Sequence, residues 1–141
     1  MPIQQTSAAR SYNMSRIRAK NTSPEIAIRK ALFKQGLRFR LHVRNLPGKP
    51  DIVFSKQKTV IFVHGCFWHS HPGCKRATIP KSNIDYWIPK ITNNTLRDQR
   101  HYHELETLGW RVFVVWECRT KVLFLVDTVN DIVKFLDRGS P

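Results

Sequence analysis

A fifteen-residue stretch from Val60 to Cys74 constrains the fold of this chain more than any other. Its first four residues are β-branched or aromatic, which predicts a buried strand. In the polar segment that follows, Cys66, His71 and Cys74 have the short ligand spacing of a structural zinc site. Such a site needs four ligands, and Cys118 is the one remaining cysteine of the chain. The sequence therefore predicts that Cys118 folds back onto this segment and completes a tetrahedron.

Histidines and acids near this segment are candidates for acid–base chemistry. If zinc takes one histidine, His64 and His69 remain, and imidazole titrates near neutral pH. His69 could instead be a spare ligand or a solvated loop residue, but a carboxylate partner would favour catalysis, and Asp98 is the leading candidate. Asp51 opens a predicted strand whose neighbour ends at His64, where its carboxylate would suit magnesium. The alternative for Asp51 is turn chemistry, because Pro-Asp is common in turns.

Large aromatic side chains accompany the predicted zinc ligands. Phe67 and Trp68 are adjacent and lie in a loop that contains few other apolar residues. An aromatic pair on a metal-pinned loop is suited to stacking on bases or wedging into a duplex, and packing in the core is the alternative. We predict wedging for this pair. For Trp87 the sequence supports wedging and core packing equally.

The charge of the chain indicates a polyanionic partner. A formal net charge of +14 over 141 residues is typical of a nucleic-acid-binding domain, and a basic enzyme with a solvated surface is the alternative. Residues 1–21 are polar and basic and include Arg16, Arg18 and Lys20, so we predict an arm that orders on DNA phosphates rather than a disordered tail. Three cysteines, with neither a signal-peptide pattern nor a bilayer-length apolar run, predict a reduced, cytoplasmic location without a membrane partner.

The remaining residues, 22–141, predict a single α/β domain. The pattern predicts strands joined by short turns into an antiparallel meander, and a last strand, reached through a helix, that runs parallel to its neighbour. A closing helix, broken near Phe124, is expected to cover one sheet face with a stripe of Val122, Val126, Val129, Val133 and Leu136. The other predicted elements are a helix over 22–35, strands over 37–44, 50–54, 59–63 and 110–116, an irregular segment over 83–89 and a helix over 94–108.

Four segments, which span most of the chain from residue 11 to residue 120, resemble the very short patch repair mismatch endonucleases. These segments are Asn13-Met14-Ser15-Arg16-Ile17, Lys49-Pro50-Asp51, His64-Gly65-Cys66-Phe67-Trp68-His69, and Gly109-Trp110-Arg111-Val112 with Trp116-Glu117-Cys118. The resemblance implies a restriction-endonuclease-like mixed sheet flanked by helices, with a zinc-stiffened loop. It also implies a magnesium-dependent nick 5′ to the T of a T:G mismatch. Such mismatches arise by deamination of 5-methylcytosine, which implies a functional link to a DNA cytosine methyltransferase.

The resemblance also implies roles for individual residues. Asp51 and the backbone carbonyl of Val63 would hold magnesium, which Glu25 would support through water, although Glu25 alone is most simply a helix cap. His69, paired with Asp98, would be the general base, and His64 would lie at the scissile phosphate. Zinc would be held by Cys66, His71, Cys74 and Cys118, and the residues at the DNA would be Phe67, Trp68 and Trp87, which wedge beside the mismatch, and Asn94.

One departure from the wider restriction-endonuclease superfamily supports this assignment. The usual acidic-x-Lys motif is absent, and Phe62-Val63-His64 stands in its place, as in the very short patch enzymes. We expect a monomer that acts on double-stranded DNA. Two alternatives remain: a non-catalytic, zinc-stabilised nucleic-acid-binding module, and a nuclease that acts on another DNA structure.

Overall fold

The structure is a computed structural model of the protein, and it describes residues 22–138. Within this range the chain forms four strands and three α-helices, with short 3₁₀ turns at Lys75–Ala77 and Glu117–Thr120. The order of the main elements is α1 (Ser23–Lys34), β1 (Arg40–Leu41), β2 (Ile52–Phe54), β3 (Thr59–His64), α2 (Ile84–Thr107), β4 (Arg111–Trp116) and α3 (Val122–Arg138). Helix α1 begins as predicted, because the Thr22 hydroxyl accepts a hydrogen bond from the Glu25 N–H at 3.4 Å.

The four strands form one mixed sheet in the order β1-β2-β3-β4. Strands β1, β2 and β3 pair antiparallel, which confirms the predicted meander. Strand β4 pairs with β3 in parallel from Thr59 opposite Arg111 to His64 opposite Trp116, which confirms the predicted parallel strand. Parallel strands end at the same edge of a sheet, so His64 and Trp116 begin the two loops at that edge.

Both faces of the sheet are covered, and strands β2, β3 and β4 each supply side chains to both sides. Along β3, Ile61 and Val63 pack into a core with α1 and α3, whereas Val60 and Phe62 pack into a second core against Leu105 of α2. A strand that is buried on both faces reads as a continuous apolar run, which is why β3 lacks polar alternation. The predicted α/β class, a mixed sheet flanked by helices, is confirmed.

The segment before residue 94 differs from the prediction. It is not irregular, because α2 begins at Ile84 and runs through Pro89 to Thr107 without a break. A proline at this position removes one helical hydrogen bond, that to the Asp85 carbonyl. The helix persists because Trp87, in its first turn, packs edge-on against Phe67 of the loop, with ring centroids 5.2 Å apart.

The predicted strand over 37–44 is reduced to two residues. His42 adopts a left-handed backbone conformation (φ 51°) and ends β1. The side of the sheet to which the apolar residues point changes at His42, since Phe39 packs against the first core and Val43 against the second. Apolar and basic residues alternate over 37–44, which predicts a basic, solvent-facing side that includes His42, but this alternation fails at His42.

The closing helix is continuous, so the predicted break near Phe124 is wrong. The Lys121 carbonyl accepts hydrogen bonds from the N–H groups of both Phe124 and Leu125, which gives a regular first turn. The predicted apolar stripe holds only in the second half, where Val129 and Leu136 are buried, with Ile132 beside them. The first two stripe positions, Val122 and Val126, are 91% and 70% exposed.

The predicted arm over 1–21, with Arg16, Arg18 and Lys20, lies outside the described residues. No helix within residues 22–138 combines the length and the apolar character that a membrane span requires.

Gly48, in the turn between β1 and β2, lies close to His101 of α2, and this close approach can be tested by substitution. It has φ +74°, and a Cβ there would lie 3.0 Å from the Cβ of His101, whereas Gly36 has φ +86° and open space around it. Left-handed strain costs an alanine about 1–2 kcal/mol at either site, and the clash should add about 1–3 kcal/mol at Gly48. Gly48→Ala should therefore lower the free energy of unfolding in urea more than Gly36→Ala. Equal losses would show that the turn is not packed tightly on α2.

Candidate active site

The predicted zinc ligands converge at the carboxyl edge of β3 and β4. Cys66 follows β3, Cys118 follows β4, and His71 and Cys74 lie on the loop between β3 and α2; the four ligand atoms are all within 4.8 Å of one another. The Cys118 Sγ is 3.5 Å from the His71 Nδ1. Tetrahedral zinc with typical bond lengths places a sulfur and a nitrogen ligand about 3.5 Å apart. The geometry therefore fits a closed zinc site.

The electrostatics of this cluster also fit a cation. Burial raises the pKa of the Cys66 thiol to about 12, so a nearby positive charge is needed to stabilise its thiolate. Burial lowers the pKa of His71, which keeps its ring neutral, as a metal ligand must be. The ring of Trp116 stacks on His71 with centroids 4.3 Å apart and fixes its orientation.

A histidine and an aspartate form the centre of the second group. The His69 Nδ1 lies 2.5 Å from the Asp98 Oδ2, so α2 brings the predicted partner to the loop histidine. Asp98 is buried, and the His69 ring stacks face to face on His64 with centroids 3.8 Å apart. The contact orients the imidazole as a hydrogen-bonded carboxylate orients a general base.

Tyr102 is a site residue that the sequence analysis missed. Its hydroxyl lies 2.6 Å from the His64 Nε2. Burial lowers the pKa of His64 to about 3, and its electrostatic interaction with His69 adds to this shift, whereas Asp98 opposes it. The His64 ring is therefore neutral near pH 7. Burial, reinforced by Asp98, raises the pKa of Tyr102, so its hydroxyl keeps its proton. The sequence signal that could have identified Tyr102 is its spacing, since a residue four positions after Asp98 lies on the same side of a helix.

A carboxylate pair adjoins the histidines on the other side of β3. Asp51 Oδ2 accepts a hydrogen bond from the Val63 N–H at 2.6 Å, and Glu25 is buried within 4.8 Å of Asp51. Burial raises the pKa of Asp51 from 3.8 to about 7; the Val63 N–H opposes this shift and Glu25 adds to it. Two crowded carboxylates favour a bound cation, so these residues fit a divalent metal. Glu25, beside its place in the first turn of α1, thus belongs to a group that could hold a metal ion.

The predicted wedge residues pack on one another at the mouth of this edge. Phe67, Trp68 and Trp87 make mutual edge-on contacts with centroids 5.2–5.7 Å apart, and all three are partly exposed. Asn94 of α2 donates a hydrogen bond to the Trp68 carbonyl at 3.1 Å, which fastens the loop to the helix. Lys90 lies 5.8 Å from the Trp68 ring centre. The aromatic cluster thus stands beside positive charge and outside both cores.

Comparison with known proteins decides the family. The profile described as DNA mismatch endonuclease Vsr matches residues 4–76.

The chain belongs to the Vsr family of DNA mismatch endonucleases.

Curated relatives agree with this membership. The chain is 56% identical to the Type II nicking enzyme V.XorIIP of Xanthomonas oryzae pv. oryzae, over 77% of this chain and 79% of that protein. It is 52% identical to the Type II nicking enzyme V.NmeAIP of Neisseria meningitidis, over 82% of each. It is 44% identical to DNA mismatch endonuclease Vsr of Escherichia coli K12, over 79% of this chain and 70% of that protein.

The four-ligand cluster of this Vsr-family chain predicts one bound zinc per molecule. Cys118→Ser should lose zinc and unfold at a lower temperature, because structural zinc contributes folding energy directly. His103→Ala, at an exposed histidine of α2, should keep both. Elemental analysis beside thermal unfolding measures the two effects, and full zinc occupancy in Cys118→Ser would refute the ligand set.

The Tyr102 contact predicts a second, milder effect. We expect the hydroxyl to donate to Nε2 of His64 and to hold the ring proton on Nδ1, so Tyr102→Phe should release that tautomer while it keeps the packing. One hydrogen bond is worth about 0.5–1.5 kcal/mol, which corresponds to a loss of about two- to thirteenfold in the rate of single-turnover nicking. Nitrogen NMR shifts of His64 report the tautomer, and Tyr86→Phe, at an exposed tyrosine, is the control. An unchanged rate together with an unchanged tautomer would exclude this role.

Proposed function

We propose that this protein nicks one strand of double-stranded DNA on the 5′ side of the T in a T:G mismatch. The proposal assigns it to very short patch repair, which corrects mismatches left when 5-methylcytosine deaminates at the sites of a companion DNA cytosine methyltransferase. Membership of the Vsr family and the nicking-enzyme names of close relatives support a strand-nicking activity. The net charge of +14 supports DNA as the substrate.

The observation that carries this proposal is the continuity of the two candidate catalytic groups. Asp51 is bonded to the main chain of Val63, and the next residue, His64, stacks on His69, which contacts Asp98. A carboxylate that suits a divalent cation therefore adjoins a histidine–aspartate pair. A protein that only binds DNA has no need of this juxtaposition of buried titratable groups.

His69 is the proposed general base. Its Nδ1 faces Asp98, so its Nε2 is the nitrogen that accepts a proton from the attacking water. Asp98 holds this tautomer and stabilises the imidazolium that forms. His64 is neutral and lies parallel to His69, and we assign it to the scissile phosphate.

Magnesium would be held by the Asp51 carboxylate and the Val63 carbonyl, and by Glu25 through water. When bound there, magnesium supplies charge neutralisation of the phosphate and stabilisation of the leaving oxygen. The half-buried Asp51 would hold this cation beside the histidines, and the Val63 N–H fixes the orientation of its carboxylate. Charge stabilisation and proton transfer would thus act on one phosphodiester bond.

The aromatic cluster of Phe67, Trp68 and Trp87 supplies mismatch preference in this scheme. Inserting rings between base pairs costs unstacking energy, and that cost is lowest where pairing is already poor. The rings pack against one another and Asn94 holds the loop, so less conformational entropy is lost when DNA binds. A T:G step is therefore favoured over a T:A step.

A nicking assay tests the proposed function. Otherwise identical duplexes with a T:G or a T:A pair are incubated with the protein, with and without magnesium, and the nick is mapped by strand length. We expect cleavage 5′ to the T in the T:G duplex only, and only with magnesium. Tight DNA binding without any nick would instead establish a binding module, and equal cleavage of both duplexes would establish another substrate.

The His69–Asp98 contact predicts non-additive kinetics. Loss of a positioned base costs about 10²- to 10⁴-fold, so His69→Ala should slow single-turnover nicking by that factor while mismatch binding persists. Asp98→Asn should impair the same step, and the double variant should be little slower than His69→Ala, because residues that act as a unit are not additive. Asp85→Asn, an exposed acid in the first turn of α2, is the matched control. Independent, multiplying effects would refute the pairing.

A further inference from the structure

His42 faces the Asp51 carboxylate cluster and has no part in the mechanism above. It directly follows β1, its N–H donates to the Asp51 carbonyl at 3.3 Å, and its Nε2 lies 3.6 Å from the Glu25 Oε2. One ligand atom each from Glu25, His42 and Asp51 lies within 4.8 Å of the other two. Two carboxylates and an imidazole therefore converge from α1, the β1 end and the start of β2.

Two features of His42 are energetically unfavourable and point to a ligand-binding role. Its Nε2 is buried and makes no hydrogen bond with the described part of the chain, although most buried polar atoms are paired. Its backbone is left-handed (φ 51°), which costs a non-glycine residue about 1–2 kcal/mol. Strained backbones and unsatisfied buried polar atoms are concentrated at functional sites, where the surrounding structure maintains them.

We propose that His42 is a nitrogen ligand of the divalent cation held at Asp51, and that it shifts the preference of the site from Mg²⁺ towards Mn²⁺. This inference rests on the proposed function, since it concerns the same metal site. Carboxylate, carbonyl and water oxygens suit Mg²⁺, whereas imidazole binds the first-row transition metals better. The Glu25–His42–Asp51 set thus has one ligand that favours the transition metal.

Charge in the cluster favours this assignment over a simple ion pair. The contact between His42 and Glu25 is 3.6 Å, longer than a normal charge-assisted hydrogen bond. Burial and the neighbouring Glu25 both raise the pKa of Asp51. A divalent cation between the three side chains would satisfy both carboxylates and the buried Nε2 at once.

Pulsed electron paramagnetic resonance of bound Mn²⁺ tests the proposal directly. The full-length protein, dialysed free of magnesium, is loaded with one equivalent of Mn²⁺ without DNA, and a directly bonded imidazole nitrogen is sought. We expect this nitrogen coupling in the wild type and in His103→Gln, the control at an exposed histidine of α2. His42→Gln should lose the coupling, and Asp51→Asn should lose the bound Mn²⁺ itself.

Metal affinities supply the second measurement. Loss of a residue that supports a metal ligand costs about 10- to 100-fold in affinity, and His42→Gln should weaken Mn²⁺ binding by at least as much. The same substitution should weaken Mg²⁺ binding much less. A wild type without nitrogen coupling, or coupling that persists in His42→Gln and so arises from His64 or His69, would overturn the inference.

The outcome is separable from that of the proposed function. A wild type that nicks T:G duplex with Mg²⁺ but shows no nitrogen coupling would refute the His42 ligand and leave the function intact. Nitrogen coupling that disappears in His42→Gln, in a protein that nicks no duplex, would refute the function and uphold the ligand.

Discussion

The parallel pairing of β3 with β4 is the constraint on which the rest of the site depends. It places residues more than fifty positions apart at one sheet edge, because His64 and Trp116 occupy the same register. Cys66 and Cys118 follow these residues by two positions each, and the Cys118 N–H lies 3.4 Å from the Cys66 Sγ. A shift of this register by one residue would turn every side chain of β4 to the opposite face and would separate the ligands.

Helix α2 makes the second connection, because it crosses beneath the loop that the cysteines anchor. Its first turns hold Trp87 and Asn94 against the loop aromatics, and its middle holds Asp98 and Tyr102 against the histidines. In its last turns, Leu105 is fully buried against β3 and fixes that end of the helix on the sheet. Apolar packing of α2 in the second core thus helps to fix the positions of its polar side chains at the site.

Much of this arrangement is predictable from sequence, because the information is local or chemically exclusive. The ligand spacing after β3 and the single distant cysteine, Cys118, leave few ways to complete four ligands. Apolar runs likewise predict β3 and β4, since burial on both faces leaves no room for polar residues. The pairing of His69 with Asp98 is predicted less directly, from the position of an acid on the helix that follows the histidine-rich loop.

The failures arise where tertiary contacts override local preference. Pro89 argues against a helix, but the packing of Trp87 retains one. His42 lies in an alternating basic segment and reads as solvent-facing until its left-handed backbone turns the ring towards Glu25. Tyr102 stands between His101 and His103 in the sequence, four residues after Asp98, and this setting does not reveal that its hydroxyl reaches His64.

The rings at the sheet edge form a column that joins the two centres. His71 stacks on Trp116, Trp116 touches His64 at 5.7 Å between centroids, and His64 stacks on His69. A change at the cysteine cluster that displaces the His71 ring would therefore act on Trp116 directly, and through it on His64 and His69. The rings thus connect the cysteine cluster to His64 and His69 through side-chain contacts alone.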